Sequence, residues 1–486
     1  MRTFVFFVTF FAVILLTGCK AKDQPETRNT QPNVLFIAMD DMNDWTQLFD
    51  EKHPIKTPNM IRLAKNGVFF RQAYANAPSC NPSRFSLLSG KIPSNTGVYG
   101  NSSDWKSAHE HLELLPEYFK NQGYKTYGSG KIFHHHAARY TKYEVFEESL
   151  AFPLSRPDAP MPADNLNGIT HWYNKDLQQA KKVSPNFDWG VWPPDPGEHV
   201  DHRTVNWAIG KLKNHTGKPF FMAVGIFRPH MPFFAPSEFF DQYPVKSSAL
   251  PEINPNDFDD LEDESVRFIK RHARFMNTFE GEKQRDPSIF KKAVSAYQVA
   301  ATYADYQLGR MLDALEQSPY AENTIVVLWS DHGYHLGEKD HWEKFVLYEK
   351  ACHVPFIWAG PGITNNKVSN ATVSLVDMYP TLVELCGLPS KEGLDGRSIT
   401  SLLTDPSMRW TFPVVTTYGH NNHAIRSDQY RYIRLQGGTK ELYNTAEDPN
   451  EWENLAKDPG HQKWIDSLDT WIPAQNVEPV PNWKGK

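Results

Sequence analysis

Asn33-Val34-Leu35-Phe36-Ile37-Ala38-Met39 is an apolar run that ends on two adjacent carboxylates, Asp40-Asp41. Nothing in it alternates between apolar and polar, so it reads as a strand covered on both faces. Three further stretches repeat the plan. Lys125-Thr126-Tyr127-Gly128-Ser129-Gly130 runs into Lys131 and then His134-His135-His136, and Pro219 to Gly225 leads to Arg228-Pro229-His230. Thr324 to Trp329 leads to Ser330-Asp331-His332-Gly333. Between the last two, Val294, Tyr297, Ala301, Ala304, Leu308, Met311 and Leu315 recur at three- and four-residue spacing, the stripe of an amphipathic helix. Alternating strands and helices predict an α/β fold with a mostly parallel sheet, in which ligands bind beyond the carboxyl ends of the strands. All four polar clusters fall there.

The 486 residues, 40% hydrophobic, are ample for a large core. After Leu402 the pattern changes to short alternating segments around Tyr430 to Arg434 and Glu441 to Asn444, then an amphipathic stretch from Trp464 to Trp471. This predicts a main α/β unit over 33–405 and a smaller α+β unit with an antiparallel sheet over 406–486. Stretches rich in Pro or acid, from Trp189 to Pro194 and from Asp257 to Glu264, read as surface loops or rim insertions. Trp105, Trp189 and Trp192 could stack on a ligand ring, although tryptophans more often fill cores. A net charge of -6 without any basic run excludes a nucleic-acid binder.

Met1-Arg2-Thr3 and the apolar run Phe4 to Leu16 read as a secretory signal, too short to span a bilayer. The signal ends in Leu16-Thr17-Gly18-Cys19, which resembles a bacterial lipobox. Residues 1–19 would then be a lipoprotein signal peptide lipidated at Cys19, and residues 20–32 a tether. That places the protein in the bacterial cell envelope, at the outer membrane, the cell surface or a periplasmic face, touching membrane only through its lipid. Of the remaining cysteines, Cys352 and Cys386 leave a disulfide open.

The third cysteine opens Cys80-Asn81-Pro82-Ser83-Arg84-Phe85-Ser86-Leu87-Leu88-Ser89-Gly90. Pro82 suits the first helical position and Gly90 a left-handed stop, so Cys80 is expected at a helix N-terminus, where the dipole and Arg84 favour negative charge. Asp40-Asp41 with Asp331-His332 looks like a ligand set for a hard divalent cation, the alternative being helix-capping or solvated aspartates.

The Cys80 stretch resembles the signature of type I sulfatases, Cys/Ser-x-Pro-Ser/Ala-Arg-x-x-x-Leu-x-Gly, in which the cysteine is oxidised to formylglycine. Phe220 to Phe233 and Ser330 to Glu338, running on to Trp342 and Lys344, are similar to the iduronate 2-sulfatases of that family. The resemblance covers Asn33 to about Pro380 and implies an alkaline-phosphatase-like α/β sandwich. It implies one calcium ion held by Asp40, Asp41, the residue derived from Cys80, Asp331 and His332, where many sulfatases have asparagine. It further implies that Arg84 supports the formylglycine, that Lys131 and Lys344 grip a sulfate, that His134 handles the hydrate's proton and that His230 protonates the leaving alcohol. Arg228 and His335 join the expected substrate contacts, while His135 and His136 read as surface residues. The expected partners are a sulfated oligosaccharide or polysaccharide, algal such as ulvan or a glycosaminoglycan, and a formylglycine-generating or radical maturation enzyme. Two rivals stand beside this carbohydrate sulfatase. One is a phosphatase or phosphodiesterase of the same superfamily, which would use serine or threonine and paired zinc, and the other is a non-catalytic glycan-binding lipoprotein.

Overall fold

The four expected strands lie side by side. The computed structural model describes residues 31–134, 145–150, 187–191, 199–271 and 287–484. The expectations for the signal segment, Cys19, His135, His136 and Trp192 lie outside the described residues. β1 (Asn33–Asp40), β3 (Lys125–Gly130), β6 (Phe220–Pro229) and β8 (Thr324–Ser330) run parallel in the order β8-β1-β6-β3. β2 (Gly67–Tyr74), β4 (Glu148–Leu150), β11 (Phe356–Ala359) and β12 (Lys367–Ser374) extend this to an eight-stranded sheet, β12-β2-β11-β8-β1-β6-β3-β4. Only β11 runs antiparallel to its neighbours.

The continuous apolar runs follow from two-sided burial. Along β1, Val34, Phe36 and Ala38 enter one apolar layer, while Leu35, Ile37 and Met39 enter the other. Burying each large side chain contributes about 1.5–3 kcal/mol, so both faces of the strand are held. The first layer takes side chains from α2 (Cys80–Ser89), α3 (Leu115–Asn121) and α7 (Met378–Leu385). The second takes them from α1 (Pro58–Lys65), α4 (Val200–Lys213) and α6 (Pro287–Glu316), and the whole expected stripe of α6 from Val294 to Leu315 is in it.

The C-terminal sheet is antiparallel as expected, with β13 (Val414–Thr417), β14 (His423–Arg426), β15 (Tyr430–Arg434) and β16 (Lys440–Asn444) in sequence order. Ile465 and Leu468 of α8 (Gln462–Asp469) close its outer side. Its inner side meets the short helix Glu349–Cys352, ahead of β11, through buried charge. Arg426 Nε lies 3.2 Å and Arg431 Nη2 2.5 Å from Glu349 Oε2, and Arg431 Nε is 2.7 Å from Glu451. The chain end then returns as a strap, with N–H groups of Val477, Val480 and Trp483 donating to the carbonyls of Ser94, Gly97 and Ser102. Gly97 has φ 73°, and a Cβ there would lie 2.3 Å from the Glu478 carbonyl.

Several loop expectations need correction. Trp189–Val191 is a short strand, β5, parallel to β7 (Phe233–Ala235), and Asp263 starts α5 (Asp263–Lys270). Asp257 is buried against Lys339 Nζ at 2.6 Å. Trp105 and Trp189 are core residues, Trp105 stacking on Phe85 and Phe133. Cys352 and Cys386 are free and buried.

Candidate active site

Four adjacent strand ends deliver their polar residues to one place. β1 ends at Asp40 and turns through Asp41, β8 ends at Ser330 before Asp331-His332, β3 ends at Gly130 before Lys131, and β6 ends at Pro229 before His230. α2 brings Cys80 to the same edge as its first residue, so Pro82 is its third residue rather than its first. The fit is unchanged, because the amide at that position is also without a helical partner. Gly90 closes the helix at φ 71°, and all ten residues of α2 are buried.

Three polar groups converge on Cys80 Sγ: His332 Nε2 at 3.3 Å, Lys344 Nζ at 3.4 Å and Lys131 Nζ at 3.7 Å. Lys131 pairs with Asp40, and Lys344 Nζ donates to Asp41 Oδ1 at 2.6 Å. Arg84 acts on the surrounding frame. Its Nε donates to Asp331 Oδ2 at 2.8 Å, its Nη2 to Asp40 Oδ1 at 3.1 Å, and its Nη1 to the carbonyls of Lys131 and Ile132. One guanidinium thereby ties three strand ends together, which a lysine could not do.

Asp41 sits in the left-handed region at φ 64°, unusual for a residue with a side chain. It is held there from both sides, its N–H donating to Asp331 Oδ1 at 3.2 Å and its carbonyl accepting from Tyr297 Oη at 2.8 Å. Burial, with Asp40 and Asp331 adding repulsion against the pull of Lys344, pushes the Asp41 carboxyl up to about 8. Among the described residues its buried Oδ2 has no hydrogen-bond partner. Asp40 is held well below the ordinary carboxylate range, because Lys131 and Arg84 outweigh its burial.

The donor set suits a hard cation. Ligand atoms of Asp40, Cys80, Asp331 and His332 lie within 4.8 Å of one another, and so do those of Asp41, Cys80 and His230. Asp40, Asp41 and Asp331 bring three carboxylates to these groups, the hard oxygen donors that a calcium-type cation prefers. His332 Nδ1 faces the Gly333 carbonyl at 2.9 Å, which fixes the tautomer and leaves Nε2 toward Cys80. Burial holds this imidazole down at about 4, so it is neutral and can offer a lone pair. The thiol of Cys80 is pushed up to about 12 by burial despite both lysines, so it is not a thiolate nucleophile.

His230 Nε2 lies 4.0 Å from Asp41 Oδ2, while its Nδ1 faces the Met231 carbonyl at 2.6 Å. Burial, then Lys131 and Lys344, hold its pKa well below the usual histidine value. His134 is buried three residues beyond Lys131. Two expected substrate contacts have backbone partners. Arg228 is buried with Nε on the Phe234 carbonyl at 2.9 Å and Nη1 on the His230 carbonyl at 3.1 Å, so it shapes the turn carrying His230. His335 follows the chain into the hairpin of β9 (His335–Leu336) and β10 (Trp342–Glu343), where its Nδ1 meets the Glu338 carbonyl at 3.1 Å and its ring packs on His341.

Sequence reasoning missed three supports. Asn101 Oδ1 accepts from Ser79 Oγ at 2.8 Å and the Asn81 N–H at 3.0 Å, so it caps α2 in place of Ser79. Ser83 Oγ donates to the Asp331 carbonyl at 2.5 Å. Tyr297 counted only toward the apolar stripe of α6, yet its hydroxyl serves Asp41; a phenol within an otherwise aliphatic stripe was the available signal.

A family model described as Sulfatase matches residues 32–388, and one described as N-sulphoglucosamine sulphohydrolase, C-terminal, matches residues 337–477. The chain is 37% identical over 476 residues to a protein of Formosa agariphila named Sulfatase, covering 96% of this chain and 91% of that one. It is 28% identical over 421 residues to iduronate 2-sulfatase of Mus musculus, covering 78% and 73%. Among solved structures it resembles a 2-O GAG sulfatase with a TM-score of 0.68 at 25% identity, over 91% of this chain and 92% of that one.

Proposed function

The chain belongs to the sulfatase family of sulfuric ester hydrolases, and from that premise we propose that it desulfates a sulfated oligosaccharide or polysaccharide, an algal polysaccharide or a glycosaminoglycan. The observation that carries this reading is the convergence of Lys131, Lys344 and His332 on Cys80 Sγ. The names of the mouse relative and of the 2-O GAG sulfatase support a sugar substrate. In this reading a formylglycine-generating or radical maturation enzyme oxidises Cys80 to formylglycine, whose oxygen takes the place of Sγ. Asp40, Asp41, Asp331 and His332, with the residue derived from Cys80, would hold one calcium ion. The hydrated formylglycine supplies the nucleophilic oxygen, and the cation supplies positive charge to the ester's oxygens.

The side chains divide the remaining work. Lys131 and Lys344 bind the non-bridging sulfate oxygens, where charge-assisted hydrogen bonds are strongest. Arg84 keeps Asp40, Asp331 and the Lys131 turn in register, and His134 takes the proton released by the formylglycine hydrate. His230 donates to the departing alkoxide from Nε2, since its Nδ1 faces the Met231 carbonyl. Burial, with Lys131 and Lys344 nearby, keeps this ring neutral. A sulfate ester on the two lysines offsets their repulsion and lets Nε2 take up the proton it must deliver.

The signal at residues 1–19, lipidation of Cys19 and the tether at 20–32 complete the proposal, placing the protein at the bacterial cell envelope. The test is release of inorganic sulfate from heparin, chondroitin sulfate and ulvan oligosaccharides, with Cys80→Ala as control. Sulfate released by wild type and not by the variant supports the reading. Wild type that releases none from any of them, while cleaving a phosphate or phosphonate ester, overturns it.

A further inference from the structure

An aromatic row leads away from the reacting centre. Lys344 Nζ, 3.4 Å from Cys80 Sγ, sits 5.8 Å from the ring centroid of Phe345. The Phe345 ring is 5.8 Å from that of Tyr418, and Tyr418 is 5.9 Å from Phe268 in an edge-to-face contact. Phe345 and Tyr418 are half-buried, each keeping some surface in solvent. Phe345 is held in an unusual backbone conformation, φ 77°, with its N–H on the Pro78 carbonyl at 3.0 Å. That conformation is costly for a bulky residue and tends to be kept where a side chain must be aimed.

Phe268 forms part of the wall of a cavity of about 530 Å³ between α5 and the loop joining β15 to β16. Its wall is polar, with the amides of Asn422 and Gln436, the hydroxyl of Thr439, and both signs of charge. Asn422 Oδ1 accepts the Gln436 N–H at 3.0 Å, and Glu264 accepts the N–H groups of Gly437 and Thr439 at 2.7 and 3.3 Å. The fold thus fixes the loop, while the exposed amide of Gln436 projects from it.

We propose that this row and cavity form a further sugar subsite, holding a unit of the glycan beyond the sulfated sugar; the inference rests on the reading given under Proposed function. Aromatic faces suit the apolar faces of sugar rings, and a concave wall with the exposed Gln436 amide and several carboxylates suits their hydroxyl groups. The carboxylates Glu262, Asp263 and Glu264 outnumber the guanidinium groups of Arg267 and Arg271, which disfavours a second sulfate there. The unit held is therefore a sugar recognised through hydroxyl groups. The enzyme should prefer an oligosaccharide to the shortest substrate bearing the same ester.

The experiment compares kcat/KM for the disaccharide and the hexasaccharide of whichever polysaccharide wild type desulfates. The hexasaccharide should be the better substrate. Gln436→Ala, at an exposed position that leaves folding intact, and Tyr418→Ala should each lower the hexasaccharide-to-disaccharide ratio by about three- to tenfold, the loss of one or two hydrogen bonds or a ring contact. The loss should lie in KM. A wild type indifferent to length, a ratio unmoved by Gln436→Ala, or an equal fall in kcat on both substrates would overturn the proposal. Tighter binding of a hexasaccharide sulfated on every sugar would overturn the preference for hydroxyl groups. Failure of the sulfatase reading is a separate result, in which wild type releases no sulfate from either length.

Discussion

At the scale of single residues, His230 gives the sharpest test. His230→Ala should lower turnover of a sugar sulfate by roughly 10²–10⁴-fold, the usual contribution of a positioned acid. An aryl sulfate, whose phenolate needs little protonation, should lose far less. Equal losses in steady-state kinetics would reassign His230 to binding. The cation offers a second test, because Asp41, one of three crowded carboxylates, carries a buried oxygen with no hydrogen-bond partner among the described residues. Chelation should abolish activity and lower the melting temperature, calcium should restore both, and elemental analysis should find about one such ion per chain. Paired zinc would favour the phosphatase rival. These residues were legible in the sequence because each stands immediately after an apolar run or inside the Cys80 motif. Arg228 and His335 follow strand ends in the same way, yet each also turns a nitrogen onto a backbone carbonyl, which the sequence did not announce. Nearness in sequence to a strand end says where a backbone goes, and the head group then follows whichever carbonyl it can reach.

At the scale of elements, α2 presents its first residue to the chemistry, so whatever fixes its N-terminus fixes Cys80. Asn101 does this from a loop twenty residues on. Asn101→Ala should cost about 1–2 kcal/mol in chemical denaturation, the worth of a lost cap with a stranded Ser79 hydroxyl. It should also lower kcat more than it raises KM, and Asn101→Asp should recover most of both. No change in either measurement would show that the cap is idle. β1, β3, β6 and β8 and the stripe of α6 were readable, β1, β6 and β8 because a two-sided layer leaves few polar positions to interrupt the pattern, whereas β2, β4, β11 and β12 were not named from the sequence. The cap was not readable, since an asparagine in a Gly-Asn-Ser-Ser stretch looks like any turn. β5 was hidden likewise by a proline-rich surrounding, and its pairing with β7 is a long-range event that local sequence does not encode.

At the scale of the whole molecule, a buried ionic seam joins the C-terminal sheet to the short helix at Glu349, ahead of β11. Burial and the nearby Glu349, against the pull of Arg431, push Glu451 up to about 7, above its ordinary value near 4.5. A carboxyl with a raised folded-state pKa binds more protons folded than unfolded. Its contribution is therefore fully present below pH 4.5 and is lost as pH rises to about 7, a fall of about 3 kcal/mol at most. Urea denaturation at pH 5 and pH 7 should show Glu451→Gln losing less stability over that interval than wild type. Parallel pH dependences would place the charge elsewhere. The antiparallel pattern of this sheet was readable from its alternating segments. Its bond to the Glu349 helix was not, because Arg426 and Arg431 look like the solvent side of a strand and are buried only once Glu349 arrives from far away in the chain. The complete burial of α2 has a consequence in time. Cys80 is 1% exposed, at the head of a helix with no accessible residue. Under the proposed oxidation of Cys80, an enzyme would have to reach that segment before it packs, so maturation would race folding along the newly made polypeptide. A molecule that closed first would be a sealed blank, and enzyme added afterwards should restore activity only if the chain is first unfolded.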